Sequence, residues 1–310
     1  MKNEKETLLV ALGGNALIRK GQVGTIEEQF ENLKDPIRQI ARLSDDYRII
    51  ITHGNGPQVG NLLLMQDNLK DLPRIPLEVL VAQTQGQIGY MIESTLDSAL
   101  MERDEGSHKL IVSLISYVVV DEHDPAFQEP SKPIGPVYDE KQAASLPFLT
   151  RKTASGYRRV VASPSPITIV EKREIKQLID LDFIVICCGG GGIPVIREKR
   201  TFCGVDAVID KDLAGAKLGA EVGADIFIIA TDVEGAYLDY GKPTQKLLRT
   251  ITMKHASDYL KGGHFPPGSM GPKVTSAIQF LQGGGKRAVI SSLNAIEEAL
   301  DGKAGTEIIR

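Results

Sequence analysis

The stretch CCGGGGIP, residues 187–194, sets four glycines in a row at the end of the apolar run 183–188. A short apolar run that stops at a glycine cluster reads as a buried strand ending in a loop whose backbone comes close to something else. The same junction occurs twice upstream: Gly13 and Gly14 follow the run 8–12, and Gly54 and Gly56 follow 48–52. Outward from these three, short apolar runs alternate with longer amphipathic ones, the pattern of βα units around a parallel sheet. Further strands are predicted over 110–120, 159–162, 225–230 and 287–291. Helices are predicted over 26–43, 57–69, 77–101, 171–181, 205–219, 270–281 and 295–300. Most of the strands are apolar on both faces, as strands covered by helices on each side of a sheet are.

At 310 residues the chain exceeds a typical single domain, which predicts one large α/β unit or two tightly joined lobes. Hydrophobic residues at 42% and charged residues at 25% exclude a disordered chain. A net charge of -4 leaves no basic footprint for a phosphate backbone, so nucleic acid is excluded as a partner while small anions are not. The three cysteines, Cys187, Cys188 and Cys203, form no CxxC pair, which argues against a thiolate metal site and fits a reducing compartment. With no signal-type or membrane-spanning apolar run, a cytoplasmic protein is expected.

The alternation breaks between Asp121 and Arg158, where Pro125, Pro130, Pro133 and Pro136 sit among many charges. The basic residues Arg151, Lys152, Arg158 and Arg159 close the segment. A connection this long is either a functional lid or a solvated insertion, and composition leaves both open.

Ligands of open α/β sheets bind outside the carboxyl ends of the strands, where amides and helix N-termini favour anions. One glycine loop alone is as well explained by a tight turn. Three in matching positions point to one anion-lined crevice. The P-loop pattern GxxxxGK[ST] is absent, and GxGxxG is absent too: GNGPQVG (54–60) has one residue too many, and GGGGIP has proline at the last position. Phosphoryl transfer without a P-loop needs other positive charge. Lys211, in VDAVIDKDLAGAKLG beside Asp206, Asp210 and Asp212, is one candidate. Lys273 is the other, placed where PPGSMGPKV leads from a loop into a helix. Singly, each reads more readily as a solvated surface charge.

Taken together, ALGGNAL (11–17), THGNGPQVGNLL (from Thr52), CCGGGGIPV, GVDAVIDKDLA (204–214), TDVEGAY (231–237) and GSMGPKV (268–274) resemble the carbamate kinases of the amino-acid kinase family. The motifs run in order over nearly the whole chain. The resemblance implies an α/β fold, a three-layer αβα sandwich with a mainly parallel central sheet and a protruding lid subdomain. It implies an N-terminal lobe (1–204, lid at about 121–160) for carbamoyl phosphate and a C-terminal lobe (205–310) for the nucleotide. The implied reaction is reversible phosphoryl transfer between carbamoyl phosphate and ADP, giving ATP and carbamate. Mg2+ would be held mainly by nucleotide phosphates, with no dedicated protein metal site, and the assembly would be a homodimer.

By the same resemblance Lys211 and Lys273 contact the transferring phosphoryl group and Asp212 holds them. The amides of Gly13, Gly14, Gly54 and Gly191 cradle oxygens, Asn15 and Asn55 add side-chain donors, and Gly56 and Gly190 complete the substrate loops. Lys132, in SKPIGPVY (131–138), reaches over the carbamoyl phosphate. Asp232, Tyr237 and Met270 lie by the nucleotide with Lys211 and Lys273, Asp232 near the ribose or the metal. Carbamate is an ionised oxyacid that needs no base, so His53 is expected to orient or pack, and Cys187 and Cys188 to pack. A substrate this small must be held by loops that come close to it, which is the reason expected for the four glycines. A sibling kinase acting on an amino-acid carboxylate or UMP would share the loops and lysines. A non-catalytic acyl phosphate or nucleotide sensor would share the crevice.

Overall fold

In the computed structural model, which describes residues 5–68, 72–103, 109–153, 156–266 and 268–310, the first apolar run forms strand β1 (Thr7–Leu12), buried along its whole length. It lies inside one eight-stranded sheet with β2 (Arg48–His53), β3 (Ile111–Ser113), β4 (Ile184–Ile186), β5 (Ile226–Thr231), β6 (Thr250–Thr252), β7 (Arg287–Ser292) and β8 (Thr306–Ile309). The order across the sheet is β6-β8-β7-β5-β1-β2-β4-β3. Every neighbouring pair is parallel except the antiparallel β7 and β8.

The period of two along each strand sorts the side chains to two faces. Leu9, Ala11, Ile50, Val185, Phe227 and Ile229 enter one core, whereas Leu8, Val10, Ile49, Ile51, Ile184 and Ile228 enter the other. Helices α1 (Ile26–Leu43) and α3 (Leu77–Arg103) cover the second face. Helix α2 (Gly56–Asn68) lies between them in sequence, and the short helix α4 (Glu140–Ser145) belongs to the segment beyond. The first face is covered by α5 (Lys172–Asp180), α6 (Lys211–Val222), α7 (Met253–Lys261) and α8 (Met270–Gln282), and α9 (Ile296–Leu300) returns to the second. The result is the expected three-layer αβα sandwich. Both halves of the chain build its sheet, since Leu8 of β1 pairs with Ile226 of β5.

The described part of the proline-bearing segment is folded. Strands Lys132–Tyr138, Gly156–Val161 and Thr150–Thr153 make a small antiparallel sheet, with a register shift between Ile134 and Tyr138 where Pro136 sits. This unit rests on α2 through a close backbone approach: a Cβ at Gly60 would lie 2.0 Å from the Gly135 Cα. Beneath it, Val59, Leu63, Leu80, Ile134, Val161 and Ile193 form a third apolar cluster.

Two expectations change. The run 110–120 is two strands, because the chain leaves the sheet at Ser116, whose N–H is taken by the Gln85 side chain at 2.9 Å; Tyr117–Val119 then joins a separate four-stranded sheet. The helix expected from residue 205 starts at Lys211, because Asp210 supplies its N-cap, accepting from the Asp212 and Leu213 N–H groups at 2.9 and 3.3 Å. The hairpin of Ile193–Glu198 with Thr201–Gly204, helix α7 and strands β6 and β8 are additions to the sequence reading. Leu69, the last residue of the helix predicted over 57–69, lies outside the described residues.

Candidate active site

The site gathers at the carboxyl ends of β1, β2 and β5 and the loop after β4. The Gly13 N–H donates to the Ala230 oxygen at 2.9 Å, and the Gly54 N–H donates to the Leu12 oxygen at 3.0 Å, which draws two of the glycine loops together. A Cβ at Gly54 would lie 3.4 Å from the Gly14 nitrogen and 3.6 Å from the Lys211 Cδ, so the first residue of α6 reaches this junction.

Asp212, in the first turn of α6, lies between two ammonium groups. Lys211 Nζ donates to its Oδ1, and Lys273 Nζ, from the first turn of α8, donates to its Oδ2 at 2.9 Å. The three side chains are only 11% (Lys211), 5% (Asp212) and 16% (Lys273) exposed. Burial alone would raise the Asp212 pKa, but the charges and hydrogen bonds of Lys211 and Lys273 outweigh it and hold the carboxyl below its usual range. Burial pulls the Lys211 pKa down, with Lys273 adding to the effect against Asp212. At Lys273 burial also opposes the charge, yet the attraction of Asp212 prevails and the pKa rises. Two fixed cations at the N-termini of two helices can attract an anion.

A third lysine joins them from the proline-bearing unit: Lys132 Nζ donates to Asp210 Oδ2. Asp210, which the motif reading noted beside Lys211 without giving it a role, thereby touches both α6 and the overhanging sheet. Its signal in the sequence was its place one residue before Lys211, the position of a helix cap.

Beside Lys273 opens a cleft of about 210 Å³ lined in part by Asp232, Tyr237, Tyr240, Met270 and Lys273. All four residues expected there besides Lys211 line it. Lys211 is not among the residues that line it and pairs with Asp212. The Asp232 carboxylate is exposed and accepts from the Thr231 hydroxyl at 3.1 Å, and the Tyr237 and Tyr240 rings lie 5.7 Å apart. Among the described residues no three potential metal ligands cluster.

The four glycines have a different cause from the one expected. A Cβ at Gly189 would fall 2.3 Å from His53 Nε2, at Gly190 2.2 Å from Asn55 Nδ2, at Gly191 2.4 Å from the Ile209 oxygen and at Gly192 2.2 Å from the Val118 Cγ2. Gly190, Gly191 and Gly192 also have φ of +66°, +90° and +87°, and Cys188 before them turns left-handed at +51°. Protein atoms, packed on every side, demand the missing side chains.

The amide assignments shift for a related reason. The N–H groups of Gly13 and Gly54 make the inter-strand bonds already described, and that of Gly191 donates to the Cys188 oxygen at 3.0 Å, so these three N–H groups are already taken. Gly14 and Asn15 head the helical turn Gly14–Ala16 and Gly56 heads α2, positions whose N–H groups lack an intrahelical acceptor. Asn55 is buried, donates to the Thr84 hydroxyl at 2.8 Å and packs on Gly190. Gln85 is a residue the sequence reading missed: its amide bridges Ser116 to the Gly189 oxygen at 3.1 Å and so anchors the glycine turn. No local motif marks it, since its partners lie far along the chain.

His53 is 2% exposed, with Nδ1 3.2 Å from the Gly54 oxygen. Burial, opposed by that contact and assisted by Lys211, lowers its pKa to about 4, so the ring is neutral at ordinary pH. Cys187 and Cys188 are buried, and the Cys188 hydrogen bond together with burial pushes the Cys187 thiol up, away from the reactive thiolate.

Comparison with known proteins agrees with this geometry. The profile of the amino acid kinase family matches residues 6–292. Carbamate kinases of Thermococcus kodakarensis and Pyrococcus horikoshii are 50% and 48% identical to the chain, each alignment covering 98% of it and 99% of the relative. The structure of carbamate kinase from Giardia lamblia bound to AMP-PNP superposes with a TM-score of 0.90 at 40% identity, covering 98% of both chains.

Proposed function

The chain belongs to the amino acid kinase family and is a kinase, and from that premise we propose that it is a carbamate kinase, moving a phosphoryl group reversibly between carbamoyl phosphate and ADP to give ATP and carbamate. The observation that carries this reading is the buried Lys211–Asp212–Lys273 constellation overhung by Lys132. In the direction of ATP synthesis a terminal oxygen of ADP attacks phosphorus, the bond from phosphorus to the carbamoyl oxygen breaks, and its electron pair leaves on carbamate. Neither nucleophile nor leaving group needs a proton moved, which suits a site whose one histidine is neutral and packed against Gly189. What the reaction needs is charge neutralisation and in-line placement. Lys211 and Lys273 supply the first, held by Asp212 so that little reorganises as charge spreads over the phosphoryl oxygens. Gly14, Asn15 and Gly56 offer amides to the same group, with Gly13, Gly54, Asn55, Gly190 and Gly191 shaping the loops behind them.

The nucleotide is assigned to the cleft of Asp232, Tyr237 and Met270, all within residues 205–310, and carbamoyl phosphate to the loops of 1–204 beneath the lid of about 121–160. Both Asp212 oxygens are taken by lysines, so the donor set fits a Mg2+ held by nucleotide phosphates, with Asp232 at hand, rather than by a protein cage. When bound, the ion would neutralise phosphate charge. A homodimer in the cytoplasm completes the proposal; among the described residues no helix is long and apolar enough to cross a membrane.

A phosphoryl-acceptor panel tests the substrate. With ATP and Mg2+, carbamate (from bicarbonate and ammonia) should yield ADP, while glutamate, aspartate and UMP should not. Turnover with one of the latter instead would transfer the assignment to a sibling kinase.

A further inference from the structure

Asp210 makes two sets of contacts that no other side chain in the site combines. Its Oδ1 accepts from the first free amides of α6, Asp212 N and Leu213 N, while its Oδ2 accepts from Lys132 Nζ. Lys132 is the first residue of the small sheet's strand Lys132–Tyr138, so one carboxylate ties the overhanging unit to the helix that carries Lys211 and Asp212. The pair is partly shielded, with Asp210 15% and Lys132 35% exposed. Asp210 also adds to the negative field felt by Lys211 and Lys273.

We propose that Asp210 is a positioning residue: it docks Lys132 against the start of α6, so that lid closure and the phosphoryl-binding lysines are set by a single ion pair. This rests on the proposed phosphoryl transfer for its kinetic meaning but not for its structural one. A lid cation without a fixed acceptor would sample the mouth of the site. With Asp210 beneath it, Lys132 is held beside the other two lysines before substrate arrives, and an entering phosphoryl group needs only to draw it a short way off a partner it already faces.

The test uses Asp210→Asn in the full chain, because asparagine caps a helix as well as aspartate while losing the charge that holds Lys132. Without substrate, amide exchange in 132–138 and 156–161 should quicken while exchange in α6 stays as in the wild type. The variant should lose about 10- to 100-fold in kcat/KM for carbamoyl phosphate, with KM for ADP nearly unchanged. Combined with Lys132→Met it should be no worse than Lys132→Met alone, since both remove one interaction. Unchanged exchange in the lid, or losses that multiply in the double variant, would overturn the proposal and leave Asp210 as a helix cap only. Because exchange is read without turnover, a wild type that makes no ATP would end the functional reading while leaving the docking claim to be judged on its own.

Discussion

Asp212 lies between two buried ammonium groups, and a carboxylate there fixes both of them and offsets their charge. Asp212→Ala should therefore destabilise the protein by about 3 kcal/mol, the consequence of leaving buried charges uncompensated, as chemical denaturation would show. A variant as stable as the wild type would mean that the lysines find water or other partners. His53 yields a pH prediction with a definite sign. Its folded pKa is about 4 against an ordinary 6.5, so between those values the unfolded chain binds a proton that the folded one does not. Stability contributed by the neutral ring is lost as pH falls from 6.5 to 4, by about 3 kcal/mol in all, and is flat above. His53→Gln should flatten that slope; an unchanged acid-side profile would place the titration elsewhere. Lys211, Asp212 and Lys273 were legible in the sequence because short motifs carry them. Asp210 and Gln85 were not, since their roles lie in contacts with Lys132 and Gly189 far along the chain.

At the scale of elements, the strands and helices of the sandwich were readable from period and apolar content, and in the structure a capping box of Thr25 and Glu28 fixes the start of α1. The run 110–120 misled because continuous apolar character does not record a change of sheet, which here depends on a side chain from α3. The glycine turn misled more instructively. Its glycines were rightly tied to close approach, but the neighbours are His53, Asn55, Ile209 and Val118. Gly191→Ala combines a left-handed backbone with a Cβ 2.4 Å from a carbonyl oxygen and should destabilise the fold by about 2–4 kcal/mol. Were it neutral in thermal unfolding, the turn would have to be able to relax without disturbing the sheet above it.

On the scale of the whole molecule, the residues before and after 204 are joined by the pairing of β1 with β5 at the centre of one sheet, so the two halves of the chain share one framework. Heat should then unfold the chain in one main calorimetric transition. ADP at 100 times its Kd should raise stability by about 2.7 kcal/mol and shift that transition as a unit. Two well-separated transitions, with only one moved by ADP, would contradict a shared framework. The overhanging unit is the part of the molecule that composition left open, because prolines and charges suit a lid and a solvated insertion equally. Its small sheet and the contact of Gly60 with Gly135 show a folded unit packed on α2, which composition could not reveal.

The most direct measurement is ATP formation from ADP, carbamoyl phosphate and Mg2+, read by coupled luminescence for the wild type and Lys273→Ala side by side. Spontaneous breakdown of carbamoyl phosphate makes no ATP, so the background is low. If the fixed lysine pair performs the transfer, the wild type makes ATP and the variant, folded to the same degree, is slower by about 10²- to 10³-fold or more. A variant with near wild-type turnover would contradict the role of Lys273, and no ATP from a folded wild type would contradict the reaction itself.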